Sequence, residues 1–251
     1  MLYDMRTQAG VSMVSPDRSA MALYSRGKPI WLWTGEHWSA EGLRSFFLKF
    51  LMRVKEKPCG IVAEKKAAEQ CGIFLSGRYV AKLKEREIIS YYLPAEETFK
   101  ARKVSAPGCV LRQAALKDAG FLTEWVAGFY RDALQAKPPH DEDFRVLAKR
   151  GASVSMDAPR LYILEDKSGS PSGMGMLCGG DHCACRLNMV CVPVEKRRQG
   201  YGKIMVELLC EKILSRDKMP VLYTSAENAA ANALYRSVGF KEAGRLTEFI
   251  F

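Results

Sequence analysis

A chain of 251 residues with 48% hydrophobic and 26% charged residues has the make-up of a soluble globular protein. It is long enough for one large domain or two small ones and for a core that needs no covalent staples. The net charge of +10 is uneven, with 18 basic against 11 acidic residues in 1–105, but Lys55, Lys57, Lys65, Lys66, Lys82 and Lys84 are dispersed and form no run. That pattern predicts a solvated basic surface, not a nucleic-acid site.

No apolar stretch approaches the ~18–20 residues that cross a bilayer. Asp4, Arg6, Asp17 and Arg18 interrupt the first twenty residues, which hold no signal-peptide core. A cytoplasmic location without a membrane partner is expected. The eight cysteines contain no C-x-x-C pair, and His37, His140 and His182 supply no zinc spacing. No metal is expected, and the thiols read as small half-buried side chains of a reducing compartment.

In chain order, residues 1–19 read as a polar arm and 20–25 as a strand. Residues 39–54 carry Leu43, Phe46, Phe47, Phe50, Leu51 and Val54 at helical spacing, with Ser39 as the cap. Residues 59–63 suit a buried strand and 65–74 a second helix. Residues 79–93 have β-rich composition, and their charged middle predicts a hairpin turn at 82–87. A polar linker closes this part, giving a division into an amino-terminal α/β lobe (1–105) and a second domain (106–251). In the latter, strands are predicted at 109–115, 160–165, 174–178, 187–192 and 220–225. Helices are predicted at 117–134, 141–149, 201–214 and 228–237, with a final extended segment at 241–251.

The stretch that carries chemistry is Arg197-Arg198-Gln199-Gly200-Tyr201-Gly202-Lys203, between a strand and a helix. The first turn of a helix leaves N–H groups unpaired and partly positive, and glycines let a phosphate approach the backbone. The spacing R-x-x-G-x-G is neither a Rossmann fingerprint nor a Walker loop. A second motif follows from Asn228 to Phe240, of the form N-x-x-A-x-x-L-Y-x-x-x-G-F, with Ala231, Leu234, Tyr235 and Gly239 at its fixed places.

On these two motifs the sequence resembles the GNAT acyltransferase superfamily over about residues 109–251. It departs at Val194, where many members have proline, and at Arg198, where glycine is frequent. The resemblance implies an α/β (α+β) GNAT fold, a mixed central sheet with splayed strands flanked by helices, preceded here by a smaller α/β lobe. It implies acetyl-CoA as co-substrate and an acetyl group passed to an amine by direct attack in a ternary complex. Met189, Val190, Cys191 and Val192 would pair with the pantetheine arm. Arg197, Arg198, Gln199, Gly200, Tyr201, Gly202 and Lys203 would hold the pyrophosphate. Asn228 and Ala231 would meet the pantetheine, and Tyr235 would lie near the sulfur as the acid for the leaving thiolate. The 1–105 lobe resembles the degenerate amino-terminal lobe that some GNAT proteins carry; it holds no R-x-x-G-x-G, and the equivalent turn is Pro29-Ile30-Trp31-Leu32-Trp33.

Other readings of the same residues stand beside these. Asn228 also suits a helix cap, Tyr235 a buried aromatic, and Leu234, Val238 and Phe240 the core. The strand at 187–192 has no carboxylate, so Glu124 or Glu248 is the candidate general base. Cys191 has no histidine nearby in sequence to make it a nucleophile. The acceptor is an amine-bearing small molecule or peptide. Two alternative functions are an acetyl-CoA-binding sensor without catalysis and an acetyltransferase acting on an RNA-associated partner.

Overall fold

The computed structural model describes residues 10–25, 28–79, 84–94, 108–133, 160–178 and 183–250. In chain order the elements are β1 (Val11–Val14), β2 (Ala20–Tyr24), β3 (Ile30–Thr34), α1 (Ala40–Arg53), β4 (Gly60–Ala63), α2 (Lys65–Tyr79) and β5 (Lys84–Tyr92). They continue with β6 (Val110–Gln113), α3 (Ala119–Ala133), β7 (Arg160–Glu165), β8 (Pro171–Cys178), β9 (Ala184–Cys191), α4 (Tyr201–Leu214), β10 (Met219–Ser225), α5 (Ala229–Val238) and β11 (Lys241–Ile250). The helix expected over 141–149 and the linker at 105–107 lie outside the described residues. No helix among the described residues is long and apolar enough to cross a membrane.

Two compact units are present. The first holds the chain up to Ser90, Ser225–Glu227 and the residues from Ala243 onward, and the second holds Tyr91–Thr224 and Asn228–Glu242. In the first unit β1, β2 and β3 form an antiparallel meander, β3 runs parallel to β4, and β11 lies antiparallel to β4, with β5 next to it. Helix α1 forms where the 3.6-residue spacing predicts it, buries Leu43, Phe46, Phe47, Phe50 and Leu51, and starts at Ser39, whose Oγ accepts the Gly42 N–H at 3.0 Å. Each such buried side chain contributes roughly 1.5–3 kcal/mol before conformational entropy is counted. A Cβ at Gly60 would stand 2.3 Å from the Phe249 carbonyl oxygen, so glycine is what lets β11 close on β4.

Three local expectations for this unit are corrected. Part of the polar arm is β1, folded onto β2 by a turn in which Asp17 accepts hydrogen bonds from Ser15 and Ser19. Of the turn expected at 29–33, Ile30 to Trp33 belong to strand β3. Lys84, Glu85, Arg86 and Glu87 are not a hairpin turn but the start of β5. Two of these charges are satisfied across strands, Arg86 by Glu248 and Glu87 by Arg245.

In the second unit β6, β7, β8 and β9 are successive antiparallel neighbours, and β10 runs parallel to β9. Side chains alternate between faces along these strands. One face, with Ile163, Met174, Met176 and Met189, packs on Leu122 and Val126 of α3. The other receives α4, because a Cβ at Gly175 would come within 2.7 Å of Leu209 Cδ1. The β9–β10 pairing spans only Ala184–Arg186 against Met219–Val221. Beyond it Leu187 to Cys191 have no pairing partner on β10, which is the splay the sequence resemblance implied.

Candidate functional site

The site forms where β9 runs on past its pairing with β10. Along β8, Met174 faces Cys191 and Met176 faces Asn188, so two steps on β8 match three on β9 and one residue of β9 bulges. The bulge sits at Met189, whose φ of 50° is left-handed for a non-glycine residue. The Asn188 Oδ1 accepts the Met189 N–H at 2.9 Å and stabilises this turn. Met189 itself is buried against Met174 and α3, whereas Val190, Cys191 and Val192 are turned into a cleft.

The chain then makes a short 3-10 turn, Val194–Lys196, and reaches α4 through Arg198 (φ 60°) and Gly200 (φ 85°). Left-handed residues of this kind make successive N–H groups converge into an anion-binding concavity. A Cβ at Gly200 would touch nothing, so glycine is required there by its backbone angle alone. Gly200 supplies no side-chain cap, and the first turn of α4 holds no acid. The N–H groups of Lys203 and Ile204 donate to the Gly200 carbonyl, which leaves those of Tyr201 and Gly202 as the donors without a place in the helix ladder. A Cβ at Gly202 would make ordinary contact with Leu234 Cδ2 of α5, at 3.4 Å.

The cleft has a volume of about 550 Å³. The end of β9 gives it Val190, Cys191 and Val192; the loop and α4 give Lys196, Arg197, Arg198, Tyr201 and Gly202. Asn228, Ala230, Ala231 and Leu234 come from the start of α5, and Phe129 from α3. The loop and α4 make their side basic and the rest is mostly apolar, and among the described residues no carboxylate lines it.

Of the predicted residues, Val190, Cys191, Val192, Arg197, Arg198, Tyr201, Gly202, Asn228 and Ala231 meet in this one cleft. Asn228 is a cap as well as a lining residue, because its Oδ1 accepts the Ala231 N–H at 3.1 Å. Gln199 folds back, its Nε2 donating to the Glu195 carbonyl. The Lys203 ammonium lies 3.9 Å from Glu207. Tyr235 is buried behind the lining, its ring 6.2 Å from that of Tyr91 and 5.8 Å from that of Phe240. Burial, with a smaller contribution from Cys210, pushes its phenol up to about 12, so it stays protonated at neutral pH.

Glu124 is exposed on α3 and is not among the lining residues. Glu248 is buried in the first unit, where Arg86 holds its carboxylate with Nε and Nη2. Cys191 Sγ lies 4.0 Å from the Trp125 carbonyl oxygen. Among the described residues no group of three or more His, Cys, Asp or Glu side chains is placed to hold a metal ion.

Lys196, Phe129, Ala230 and Leu234 were missed by the sequence reading. Lys196 precedes the glycine motif and reaches the cleft because Asp166, in the β7–β8 turn, accepts from its Nζ at 2.8 Å. Asp166 also accepts from Ser168, Ser170 and Ser172. The Lys196 ammonium, followed by the Ser168 hydroxyl, holds the Asp166 carboxyl well below the usual carboxylate range, and Asp166 raises the Lys196 ammonium in turn.

Residues 181–250, the span that contains the end of β9, the loop and α5, match the model of the FR47-like protein family. Over the whole length the chain is similar to a solved Drosophila protein, with a TM-score of 0.71 at 13% identity, covering 100% of this chain and 88% of that one. It is also similar to the GCN5-related N-acetyltransferase from Kribbella flavida (TM-score 0.61, 10% identity, 99% and 92% covered). A third likeness is to the GCN5-related N-acetyltransferase from Sphaerobacter thermophilus (TM-score 0.58, 14% identity, 96% and 80% covered). The fold is that of these N-acetyltransferases. The bulged end of β9, beyond its pairing with β10, and the glycine loop border the same cleft. No curated protein sequence matches the chain.

Proposed function

We propose that this chain is an acetyl-CoA-dependent N-acetyltransferase that passes the acetyl group directly to an amine held in the same cleft. The observation that carries this reading is the meeting of an uncapped, left-handed glycine start on α4 with the end of β9 that runs on past its pairing with β10. The donor set fits a pyrophosphate: backbone N–H groups at a helix start, with Lys196, Arg197 and Arg198 around them and no carboxylate among the described lining residues. The apolar end, with Val190, Val192, Leu234 and Phe129, suits the pantetheine and thioester, and the Asn228 amide suits a pantetheine carbonyl. Acetyl-CoA supplies the activated acyl bond, and the protein supplies position and electrostatics.

The roles of the residues follow from what each group still has to offer. With its Oδ1 bound to Ala231, Asn228 offers its Nδ2 hydrogens to a ligand. The Met189 N–H already serves Asn188, so polarisation of the acyl carbonyl falls to an N–H at Val190 or Cys191. Tyr235 is the acid for the departing thiolate: a phenol is protonated at neutral pH, and although burial makes this one a weaker donor, the same apolar surroundings raise the proton affinity of a thiolate brought beside it. The proton of the amine goes to Glu124 or to a solvent water, because Glu248 is held by Arg86. Neither Glu124 nor Tyr235 is among the lining residues, so each acts only where a bound acceptor or thioester extends to it. Holding both reactants in one cleft replaces a bimolecular encounter. The acceptor is an amine-bearing small molecule or peptide, and the site of action is the cytoplasm.

The test is an acceptor screen with acetyl-CoA, following free thiol and product mass. Thiol release matched by a product 42 Da heavier, the mass of an added acetyl group by general chemistry, supports the reading. A second reading, an acetyl-CoA sensor, is favoured by the burial of Tyr235 behind the lining. Tight binding with no amine turned over would decide for it.

A further inference from the structure

Asn232 is only 3% exposed, an amide in the middle of α5 at a position the sequence motif leaves open. A buried amide is stable when its polar groups find partners, and both ends of this one do. The Tyr91 hydroxyl donates to Asn232 Oδ1 at 3.0 Å, and Asn232 Nδ2 donates to the Asn228 carbonyl at 2.8 Å. That carbonyl already accepts the backbone N–H of Asn232 at 3.0 Å, the ordinary first bond of a helix. The second donor is therefore unnecessary for helix closure. Its effect is on direction: the carbonyl of the cap residue is pinned by two donors, and the cap side chain by the Ala231 N–H. Tyr91 is 1% exposed and its ring also packs on Tyr235.

We propose that Tyr91 and Asn232 are positioning residues, a buried strut that aims the Asn228 amide into the cleft for the pantetheine of CoA. The proposal rests on the acetyl-CoA reading above. Neither residue lines the cleft, so both act through Asn228. Tyr91→Phe keeps the ring against Tyr235 and removes only the hydroxyl.

The experiment is a calorimetric titration of the full chain with CoA, using wild type, Tyr91→Phe, Asn228→Ala and the double variant. Tyr91→Phe weakens CoA binding by about five- to tenfold, the worth of one net hydrogen bond. In the Asn228→Ala background the same change has an effect of less than about twofold, because no amide is left to aim. In turnover, the deficit of Tyr91→Phe falls on KM for acetyl-CoA far more than on kcat. Asn232→Leu reproduces the Tyr91→Phe loss, and adding Tyr91→Phe to it makes no further difference. Thermal melting reports separately the stability lost in each variant. Equal weakening in both Asn228 backgrounds, or loss confined to melting, overturns the strut. If the wild-type chain takes up no CoA, the cofactor reading falls and the strut with it. If wild type and Tyr91→Phe bind CoA equally well, the strut alone falls.

Discussion

The two units begin a helix in opposite ways. At the start of α1 Ser39 folds its hydroxyl onto the Gly42 N–H, and Glu41 adds a carboxylate to the first turn. The helix end is satisfied by its own sequence. At the start of α4 the equivalent place is Gly200, left-handed, with no side chain and no acid in the first turn. Basic residues crowd it instead. A helix end that the protein caps is a structural joint, and one it leaves open and surrounds with positive charge is a seat for an anion. The hairpin turns differ in a parallel way. Asp17 in the first unit accepts only from Ser15 and Ser19 within its own turn, which lowers its carboxyl to about 2, Ser15 first and Ser19 next. Asp166 in the second unit uses the same serine pattern but extends to Lys196 on the cleft loop.

The largest effect should come from the second unit's chemistry. Tyr235→Phe removes a hydroxyl and keeps the ring, and turnover should fall about 10²–10⁴-fold with acetyl-CoA binding little changed. An acyl donor with a more acidic thiol should narrow the deficit. Near-normal turnover, with chemistry shown to limit the rate, would make Tyr235 a packing residue and leave the proton to water.

Next in size is the open helix end. At 100 times its dissociation constant, acetyl-CoA should stabilise the wild-type chain by about 2.7 kcal/mol. Gly200→Val forces a β-branched residue to a φ of 85° and should abolish the ligand-induced melting shift. A shift that survives in the folded variant would mean the anion sits elsewhere.

The capped end should behave in reverse. Ser39→Ala should cost about 0.5–2 kcal/mol of stability in denaturant unfolding. Its affinity for CoA should match wild type, and a change there would break the distinction between the two helix starts.

The smallest effect concerns Asp166. A carboxyl held below its unfolded value near 4 stabilises the fold above that pH, and this stability is lost as pH falls toward the folded value. Asp166→Asn should melt below wild type at pH 7, and the gap should narrow as the pH is taken below about 4. A gap independent of pH would mean the loss lies in packing and not in charge.

The parts of the site legible in the sequence are those written locally. The glycine start of α4 and the Asn228 cap each occupy a few consecutive residues, so their physics is readable without a fold. The bounds of β7 and α4 matched the prediction because their apolar spacing is uninterrupted. Phe129 and Lys196 were missed because only packing brings α3 to the cleft and only Asp166, thirty positions earlier, directs Lys196 there. The charged start of β5 was misread for a related reason: its partners, Arg245 and Glu248, lie about 160 positions away on β11. A charge that is paired across strands looks, in one dimension, like a turn.

Strand β11 also sets a schedule. It pairs with β4, Thr247 opposite Ala63, across more than 180 positions of chain, and in the first unit it comes between β4 and β5. Contacts so far apart in sequence form late and slow folding. While the protein is being synthesised from its amino terminus, the first unit has its helices and five strands long before the strand that joins β4 to β5. Until residue 250 has been made, β4 keeps an open edge, a surface on which another unfinished copy can pair. The unit that is translated first is therefore the one that finishes last, and it is there that nascent chains should depend most on chaperones.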